Sequence, residues 1–260
     1  MELTILKLGG SILTHKYDGG GFDASTANRL AGEIKQALIR SPQRLILIHG
    51  AGGKVHGLAK EFDLATGALT PQQIDGSLTT HGAVRELTDQ LLPILTSYDL
   101  PVVPLPTNSM FIIKDGQPKL IGSEVIEQAL KLNLIPLLSG DMVLDDQLNF
   151  SILSGDRVAA VLSQRFNANR IIFASDVDGL YDSDPKTNPD AKLIEHAQLS
   201  NIDTNQTVTS SVDVTNQMIG KIAALMKDGN QAPVQILNGL VADKLEQALT
   251  DQPVVCTIIG

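Results

Sequence analysis

The sequence predicts an α/β fold: a three-layer αβα sandwich with an open, mainly parallel central sheet. Seven short runs rich in Ile, Val and Leu are apolar at successive positions, which is typical of parallel strands buried on both faces. Helical patterns lie between these runs, so the strands would be joined by crossover helices. A parallel sheet connected in this way is covered by helices on both faces.

The expected elements follow one another along the whole chain. The buried strands are expected at Leu3–Leu8, Arg44–Ile48, Pro101–Leu105, Leu134–Leu138, Arg170–Ala174, Val234–Leu237 and Val254–Ile258. Helical periodicity predicts helices at Ala24–Ile39, Ile74–Leu95, Val125–Leu132, Val158–Phe166, Met218–Met226 and Asp243–Leu249. Two further short strands, Phe111–Ile113 and Phe150–Leu153, are expected beside the turns at Asp115-Gly116 and Asp145-Asp146.

Composition limits the class of protein and its partners. A chain of 260 residues with 3% aromatic residues and no Trp must build its core from Leu, Ile, Val and Ala. The absence of a linker or repeat favours one domain, 1–260, over two separate domains. The formal charge of −9 argues against nucleic acid as a partner, because binding to a duplex needs a concentrated basic surface, but it leaves room for a small anion.

The cellular compartment is expected to be the cytoplasm. Cys256 is the single cysteine, so no internal disulfide can form, and a reducing environment suits the chain. No apolar run is long enough for a membrane span, and residues 1–12 lack the layout of a signal peptide. We therefore expect no membrane association.

The first candidate binding element is the turn that ends the first strand. Gly9-Gly10-Ser11 would expose backbone N–H groups with little side-chain cover, which suits a phosphate group. Lys7 precedes the turn, and Lys16 follows it after a short loop. Both lysines could place positive charge beside a phosphate held there.

A second glycine-rich segment, His49–Gly57, follows the second strand. In an open α/β sheet, ligands bind beyond the carboxyl ends of the strands, and a helix starting near Gly53 would direct its N-terminus at such a ligand. His56 would lie one turn into that helix. A plain glycine-rich turn with a surface histidine is the alternative. The glycine spacing does not fit a dinucleotide fingerprint, and Val55 after Lys54 excludes a Walker A loop.

Three more strand ends carry polar residues. Ser139-Gly140-Asp141 and Ser154-Gly155-Asp156 follow two of the expected strands, and Ser154 is placed as a helix N-cap. Helix capping alone is the alternative explanation for a Ser-Gly-Asp segment. Asp176-Val177-Asp178-Gly179 follows a further strand, and a solvated turn is the alternative there. Together with Lys16 and Lys221, these turns point to transfer of a phosphoryl group, which needs positioning and charge neutralisation more than covalent chemistry.

The chain resembles the amino acid kinase superfamily, and most closely its isopentenyl phosphate kinase branch. The matching segments are KLGGSIL with Lys16 beyond it, IHGAGGKVHG, ILSGD, ASDVDGLY and DVTNQMIGK, in the order of the family. The resemblance covers residues 5 to 221 and implies an open αβα sandwich. It also implies a homodimer that transfers the γ-phosphoryl group of ATP to a small anionic acceptor. The acceptor-binding lobe would span about 1–165, and the nucleotide-binding lobe about 166–260.

The resemblance also implies a role for individual residues. Lys7, Lys16 and His56 would act in catalysis, with Asp156 orienting a lysine or a magnesium-bound water; no direct Mg²⁺ ligand can be assigned. The acceptor phosphate would be bound by Ala51, Gly52, His56 and Gly155. ATP would be bound by Lys7, Gly9, Gly10, Ser11, Gly52, Asp176, Gly179, Gln217 and Lys221.

Two departures from the family pattern concern the glycine-rich segments. Lys54 and Val55 stand where an aromatic residue and a glycine usually precede the histidine. Asn216-Gln217 replaces a Gly-Gly pair before the late lysine, which brings side chains to a place where backbone would approach ATP. A non-catalytic, ligand-binding member of the superfamily is therefore an alternative. A nucleotide-dependent oxidoreductase is a more distant one.

The acceptor itself is expected to be isopentenyl phosphate. Relatives that phosphorylate fosfomycin, a small phosphonate, share the histidine, so the tail of the acceptor must decide between the two. The apolar stripe of Leu58–Leu95 belongs largely to the core by the plainer interpretation. The alternative hypothesis is that Phe62, Leu78, Val84 and Leu87 line an apolar pocket, which suits a five-carbon alkenyl chain better than a polar epoxide.

Overall fold

The computed structural model describes residues 1–15, 21–183, 185, 187–198, 222, 225, 228 and 230–260. Over these residues, eight strands form a central sheet in the order β12-β14-β13-β9-β1-β2-β6-β3. The strands of that sheet are β1 (Leu3–Leu8), β2 (Arg44–His49), β3 (Val102–Pro104), β6 (Ile135–Ser139), β9 (Arg170–Ser175), β12 (His196–Ala197), β13 (Val234–Asn238) and β14 (Cys256–Ile259). All neighbouring pairs are parallel except β13 with β14, so the expected α/β class is confirmed.

Helices cover both faces of this sheet. In the described residues they are α1 (Gly10–Leu13), α2 (Ala24–Arg40), α3 (Gly52–Glu61), α4 (Pro71–Ser97), α5 (Thr107–Met110), α6 (Ser123–Lys131), α7 (Gly155–Phe166) and α8 (Lys244–Leu249), with a 3₁₀ turn at Leu64–Thr66. Most of the expected helix Met218–Met226 lies outside the described residues, although Ile222 and Leu225 are described and buried. No described helix has the length and hydropathy needed to cross a membrane.

The alternation of side chains along β1 produces the three layers. Leu3 and Ile5 join the core that includes α6 and α7, whereas Leu6 and Leu8 join the core that includes α2 and α8. Both cores consist largely of aliphatic side chains, as the composition predicts. These two cores bury β1 on both faces. Because β1 lies between β2 and β9, its carboxyl end opens at the middle of the sheet edge.

A second, four-stranded sheet stands beside the first, in the order β5-β4-β7-β8. Its strands are β4 (Phe111–Lys114), β5 (Gln117–Leu120), β7 (Asp141–Asp145) and β8 (Asn149–Leu153). The expected strands at Phe111–Ile113 and Phe150–Leu153 are confirmed, but β5 and β7 are additional. The turn between β7 and β8 is held by Asp145, whose Oδ1 accepts hydrogen bonds from the amides of Gln147 and Leu148.

Helix α4 is longer than its periodicity predicts. The Thr70 hydroxyl oxygen caps it by accepting a hydrogen bond from the backbone amide of Gln73, and Gln73 Oε1 accepts a hydrogen bond from the backbone amide of Thr70. This reciprocal arrangement satisfies two N–H groups that would otherwise lack partners, so the helix begins at Pro71. The two remaining short strands, β10 (Leu180–Tyr181) and β11 (Leu193–Ile194), form a hairpin.

Candidate active site

A cleft of about 530 Å³ opens where β1, β2 and β6 end. Its lining comes from the turns after these parallel strands, from the start of α7 and from the β7–β8 hairpin. The residues singled out from sequence that line it are Lys7, Gly9, Gly10, Ser11, Ala51, Gly52, His56, Gly155, Asp156 and Asp176. Strand topology accounts for the convergence of the turns after β1, β2 and β9, since the carboxyl ends of neighbouring parallel strands share one sheet edge. Gly155 and Asp156 follow β8 of the second sheet and reach the cleft at the start of α7.

The two glycine-rich turns touch each other through their backbones. A Cβ atom added at Gly10 would lie 2.3 Å from the amide nitrogen of Gly52, and one at Gly50 would lie 2.2 Å from the amide nitrogen of Gly10. Gly52 has φ of +76°, a conformation that favours glycine, and α3 begins there. The sequence therefore needs glycines here to bring backbone of both turns to the floor of the cleft.

Lys7 and Asp156 form a buried ion pair in the cleft. Lys7 Nζ lies 2.5 Å from Asp156 Oδ1, and about 10% of each side chain is exposed. Lys7 also lies over the ring of Phe173, with Nζ 5.4 Å from the ring centroid. Asp156 sits in the first turn of α7, which Ser154 caps by accepting a hydrogen bond from the amide of Arg157, as expected. The pair holds one positive charge in a fixed place beside the glycines.

The turn after β9 reaches the opposite side of the first glycine turn. Ser11 Oγ donates to Asp176 Oδ1 at 3.0 Å, and the Gly9 amide donates to the carbonyl of Ala174 at 2.8 Å. Gly179 lies away from the cleft lining and packs against Thr257, where a Cβ atom would lie 2.1 Å from the threonine hydroxyl. Lys16, Gln217 and Lys221 lie outside the described residues.

Helix α3 brings His56 to the cleft. Its N-cap is Ala51, and its first turns contribute Val55 and His56 to the cleft lining. Lys54 turns elsewhere and pairs with Glu86 of α4 at 2.5 Å, with about half of its side chain exposed. The lysine that departs from the family pattern therefore does not enter the cleft.

His49, at the end of β2, is fully buried behind the second glycine turn. Its Nδ1 is 3.0 Å from the carbonyl oxygen of Gly50, and its Nε2 is 2.7 Å from Thr88 Oγ1. Burial lowers the pKa of His49 to about 4, so the ring is neutral at neutral pH. A neutral ring with Nδ1–H donating to Gly50 fixes the turn without adding charge to the cleft.

Sequence reasoning missed a polar group at the other end of the cleft. His81 of α4 lies with Nδ1 3.0 Å from both carboxylate oxygens of Asp141, and its Nε2 is 3.3 Å from the side-chain nitrogen Nδ2 of Asn108. Burial is the largest influence on Asp141 and raises its pKa, although the hydrogen bond from His81 opposes that change. Asp141 and Thr80 both line the cleft. Because His81 and Asp141 are 60 positions apart in the sequence, no local pattern predicts that the two side chains meet.

The expected apolar pocket is wrong in its residues. Leu78 is 54% exposed, Phe62 packs over Gly76, and Val84 and Leu87 are buried away from the cleft lining. The face of α4 that carries Val84 packs against Val55 of α3, so Val84 belongs to the hydrophobic core. The apolar lining comes instead from α3 and the β7–β8 hairpin, namely Val55, Ala59, Met142, Ile152 and Leu153.

Comparison with known proteins gives one consistent family. The profile of the amino acid kinase family matches residues 2–238. Isopentenyl phosphate kinase of Methanothermobacter thermautotrophicus is 30% identical over 262 residues, which is 97% of each chain. Isopentenyl phosphate kinase of Methanocaldococcus jannaschii is 32% identical over 255 residues, which is 95% of each.

Solved structures agree with the sequence comparison. An X-ray structure of an isopentenyl phosphate kinase superimposes with a TM-score of 0.84 at 29% identity, covering 100% of both chains. A substrate complex of an isopentenyl phosphate kinase superimposes with a TM-score of 0.77 at 22% identity, a likeness of fold.

Proposed function

Because the chain belongs to the amino acid kinase family, we propose that it transfers the γ-phosphoryl group of ATP to isopentenyl phosphate, giving isopentenyl diphosphate and ADP. The observation that carries the proposal is the composition of the cleft. One part offers glycine backbone, Lys7 and His56, which suit phosphate groups, and another offers aliphatic side chains. Near-full-length similarity to isopentenyl phosphate kinases at 30% and 32% identity supports the same acceptor.

The reaction would break the bond between the γ-phosphorus of ATP and its bridging oxygen, and form a bond from an acceptor phosphate oxygen. Because a phosphate monoester is already largely dianionic at pH 7, its oxygen needs no general base. His56 would therefore donate a hydrogen bond to the acceptor phosphate, together with backbone of Ala51, Gly52 and Gly155. The role of the protein is then to align two anions and offset their repulsion.

Positive charge would come from lysines. Lys7, fixed by Asp156 at 2.5 Å, would bind ATP phosphate beside Gly9, Gly10 and Ser11. Lys16 would stabilise the phosphoryl group during transfer. Asp176, Gly179, Gln217 and Lys221 would contact the nucleotide, so the lobe of about 166–260 would bind ATP together with Lys7 and the first glycine turn, and the lobe of about 1–165 would bind the acceptor.

Mg²⁺ would accompany ATP. Within the part of the chain that the structure describes, no three His, Cys, Asp or Glu side chains are grouped so that they could hold a metal ion. Mg²⁺ would be bound mainly by nucleotide phosphates and water, as it often is in kinases. The ion would neutralise phosphate charge, and Asp156 would orient a lysine or a magnesium-bound water. We also propose a homodimer, which analytical ultracentrifugation would test.

The decisive experiment measures ADP formation with Mg·ATP and one acceptor at a time: isopentenyl phosphate, dimethylallyl phosphate, fosfomycin, acetylglutamate or carbamate. We expect the highest kcat/KM with isopentenyl phosphate and a diphosphate product by mass spectrometry. Higher kcat/KM with fosfomycin would reassign the acceptor to a phosphonate. No acceptor-dependent turnover, with binding retained, would indicate a non-catalytic member.

A further inference from the structure

Thr80, a residue of the cleft lining, carries a buried hydroxyl. The residue is 1% exposed and lines the cleft, and its Oγ1 is the buried side-chain polar atom without a hydrogen-bond partner among the described residues. A buried hydroxyl without a partner is costly, so it needs an explanation.

Other hydroxyls of α4 show that the arrangement is particular to Thr80. Along this helix Ser77, Thr79, Thr96 and Ser97 each donate to a carbonyl three or four residues earlier, and the hydroxyl of Thr88 is bonded to His49 Nε2. A local bond to a carbonyl is the usual way to satisfy a helical hydroxyl. Thr80 makes no such bond and has no other partner among the described residues.

Polar neighbours on the cleft wall are already engaged. The carboxylate of Asp141 accepts from His81 Nδ1 and from the amide of Met142, and His81 Nε2 is bonded to Asn108. These contacts hold the neighbouring groups in place, and the structure gives none of them a bond to Thr80. Among the described residues none is bonded to Thr80, which makes a ligand atom a candidate partner.

We propose that Thr80 is a specificity-determining residue that binds a neutral hydroxyl carried on the hydrocarbon chain of the phosphorylated acceptor. Two observations favour a neutral substituent. Lys7 is the one lysine or arginine among the described residues of the cleft lining, and its charge is already paired with Asp156. Asp141 also places a carboxylate near the hydrocarbon chain of the acceptor. The surrounding Val55, Ala59 and Met142 suit a short branched carbon skeleton. This inference rests on the proposed function and adds a second acceptor class to it.

The test uses two acceptors that differ by one hydroxyl, 3-methylbutyl phosphate and 3-hydroxy-3-methylbutyl phosphate. Kd by calorimetry and kcat/KM with Mg·ATP are measured for both, with isopentenyl phosphate alongside. We expect the unmodified protein to favour the hydroxylated compound by about fivefold or more, the effect of one hydrogen bond. Thr80→Val, which keeps the shape and removes the hydroxyl, should abolish or reverse that preference.

Two further variants keep the test sharp. Thr80→Ser retains the hydroxyl and should retain the preference. Thr79→Val, one position along the same helix, removes a hydroxyl that is bonded to Asp75 and should leave the ratio unchanged. An unmodified protein with no preference, or a preference that survives Thr80→Val, overturns the inference while isopentenyl phosphate turnover still supports the proposed function. Loss of turnover with every acceptor refutes the proposed function, and the Kd ratio then still decides the role of Thr80.

Discussion

Lys7 Nζ and Asp156 Oδ1 meet at 2.5 Å across a separation of 149 positions in the sequence. The contact joins the central strand of the sheet to the first turn of α7, and both side chains are about nine-tenths buried. A charge in this environment depends on its partner, because either ion alone would be left desolvated.

Asp156→Asn should therefore reduce both stability and activity. Removing one member of a buried pair costs about 3–5 kcal/mol of unfolding free energy, which urea denaturation would measure. Lys7→Met should do the same. The double variant Lys7→Met with Asp156→Asn should regain much of the stability while remaining inactive, since no charge is left unpaired. Losses that simply add in the double variant would show that the two charges are not coupled.

Gly10→Ala should separate the two glycine turns and lower kcat/KM by roughly a hundredfold or more, since misplacing reacting groups by about 1 Å has that effect. The reason is the 2.3 Å approach of an added Cβ to the Gly52 amide nitrogen. Gly57→Ala is the matched control, because a Cβ there meets no atom within 4 Å. Equal kcat/KM for the two variants would contradict a backbone phosphate site at this contact.

His56→Ala should raise the KM for the acceptor more than it lowers kcat. A hydrogen bond to a charged group is worth about 1.5–3 kcal/mol, and His56→Gln should recover part of it. His196→Ala is the control, because His196 is exposed on β12. A glutamine variant as inactive as the alanine variant would favour proton transfer by His56 over hydrogen bonding.

Lys16→Ala should act mainly on kcat. A charge that matters as negative charge develops stabilises the transition state, and its loss should cost roughly a hundredfold or more. Lys54→Ala provides the comparison, because Lys54 follows the second glycine turn but pairs with Glu86 on the surface. Steady-state kinetics with saturating acceptor would measure both, and near-normal kcat in Lys16→Ala would remove that lysine from the mechanism.

His49 should make stability depend on pH. Its pKa is about 4 in the folded protein and 6.5 in the unfolded chain, so the unfolded chain binds more protons between these values. The free energy of unfolding should therefore fall as the pH is lowered from 6.5 to 4, by up to about 3 kcal/mol. His49→Gln should lose this part of the dependence, as denaturation at pH 7.5 and 4.5 would measure. Equal pH dependence in the two proteins would contradict a buried neutral ring.

Strands of the central sheet were predictable because burial on both faces leaves a plain signal. Leu3–Leu8 has the bounds expected, and Arg44–His49 differs from expectation by one residue. The second sheet leaves a weaker signal: β5 has four residues, includes Pro118 and is largely exposed on alternate positions. Its pairing with β4 depends on a tight turn, and the pairing of β4 with β7 depends on tertiary packing, which no local pattern records.

The candidate site was predictable where a turn must follow a strand. The parallel strands β1, β2 and β9 bring Gly10, Gly52 and Asp176 together through topology alone, so their convergence could be expected. Apolar lining could not be assigned in the same way, because a leucine on a helix reads alike whether it faces a ligand or a neighbouring helix. Leu78 and Ile152 illustrate the limit: the first proved exposed and the second lines the cleft.

The alternation along β1 has a consequence for folding. Lys7 shares its face of the strand with Leu3 and Ile5, and a slip by one residue against β2 and β9 would turn every side chain to the opposite face. The ammonium would then enter the aliphatic layer under α2, out of reach of Asp156, at a cost of several kcal/mol. Misregistered sheets are thereby disfavoured, so the residue proposed to bind phosphate also helps to select the native strand alignment.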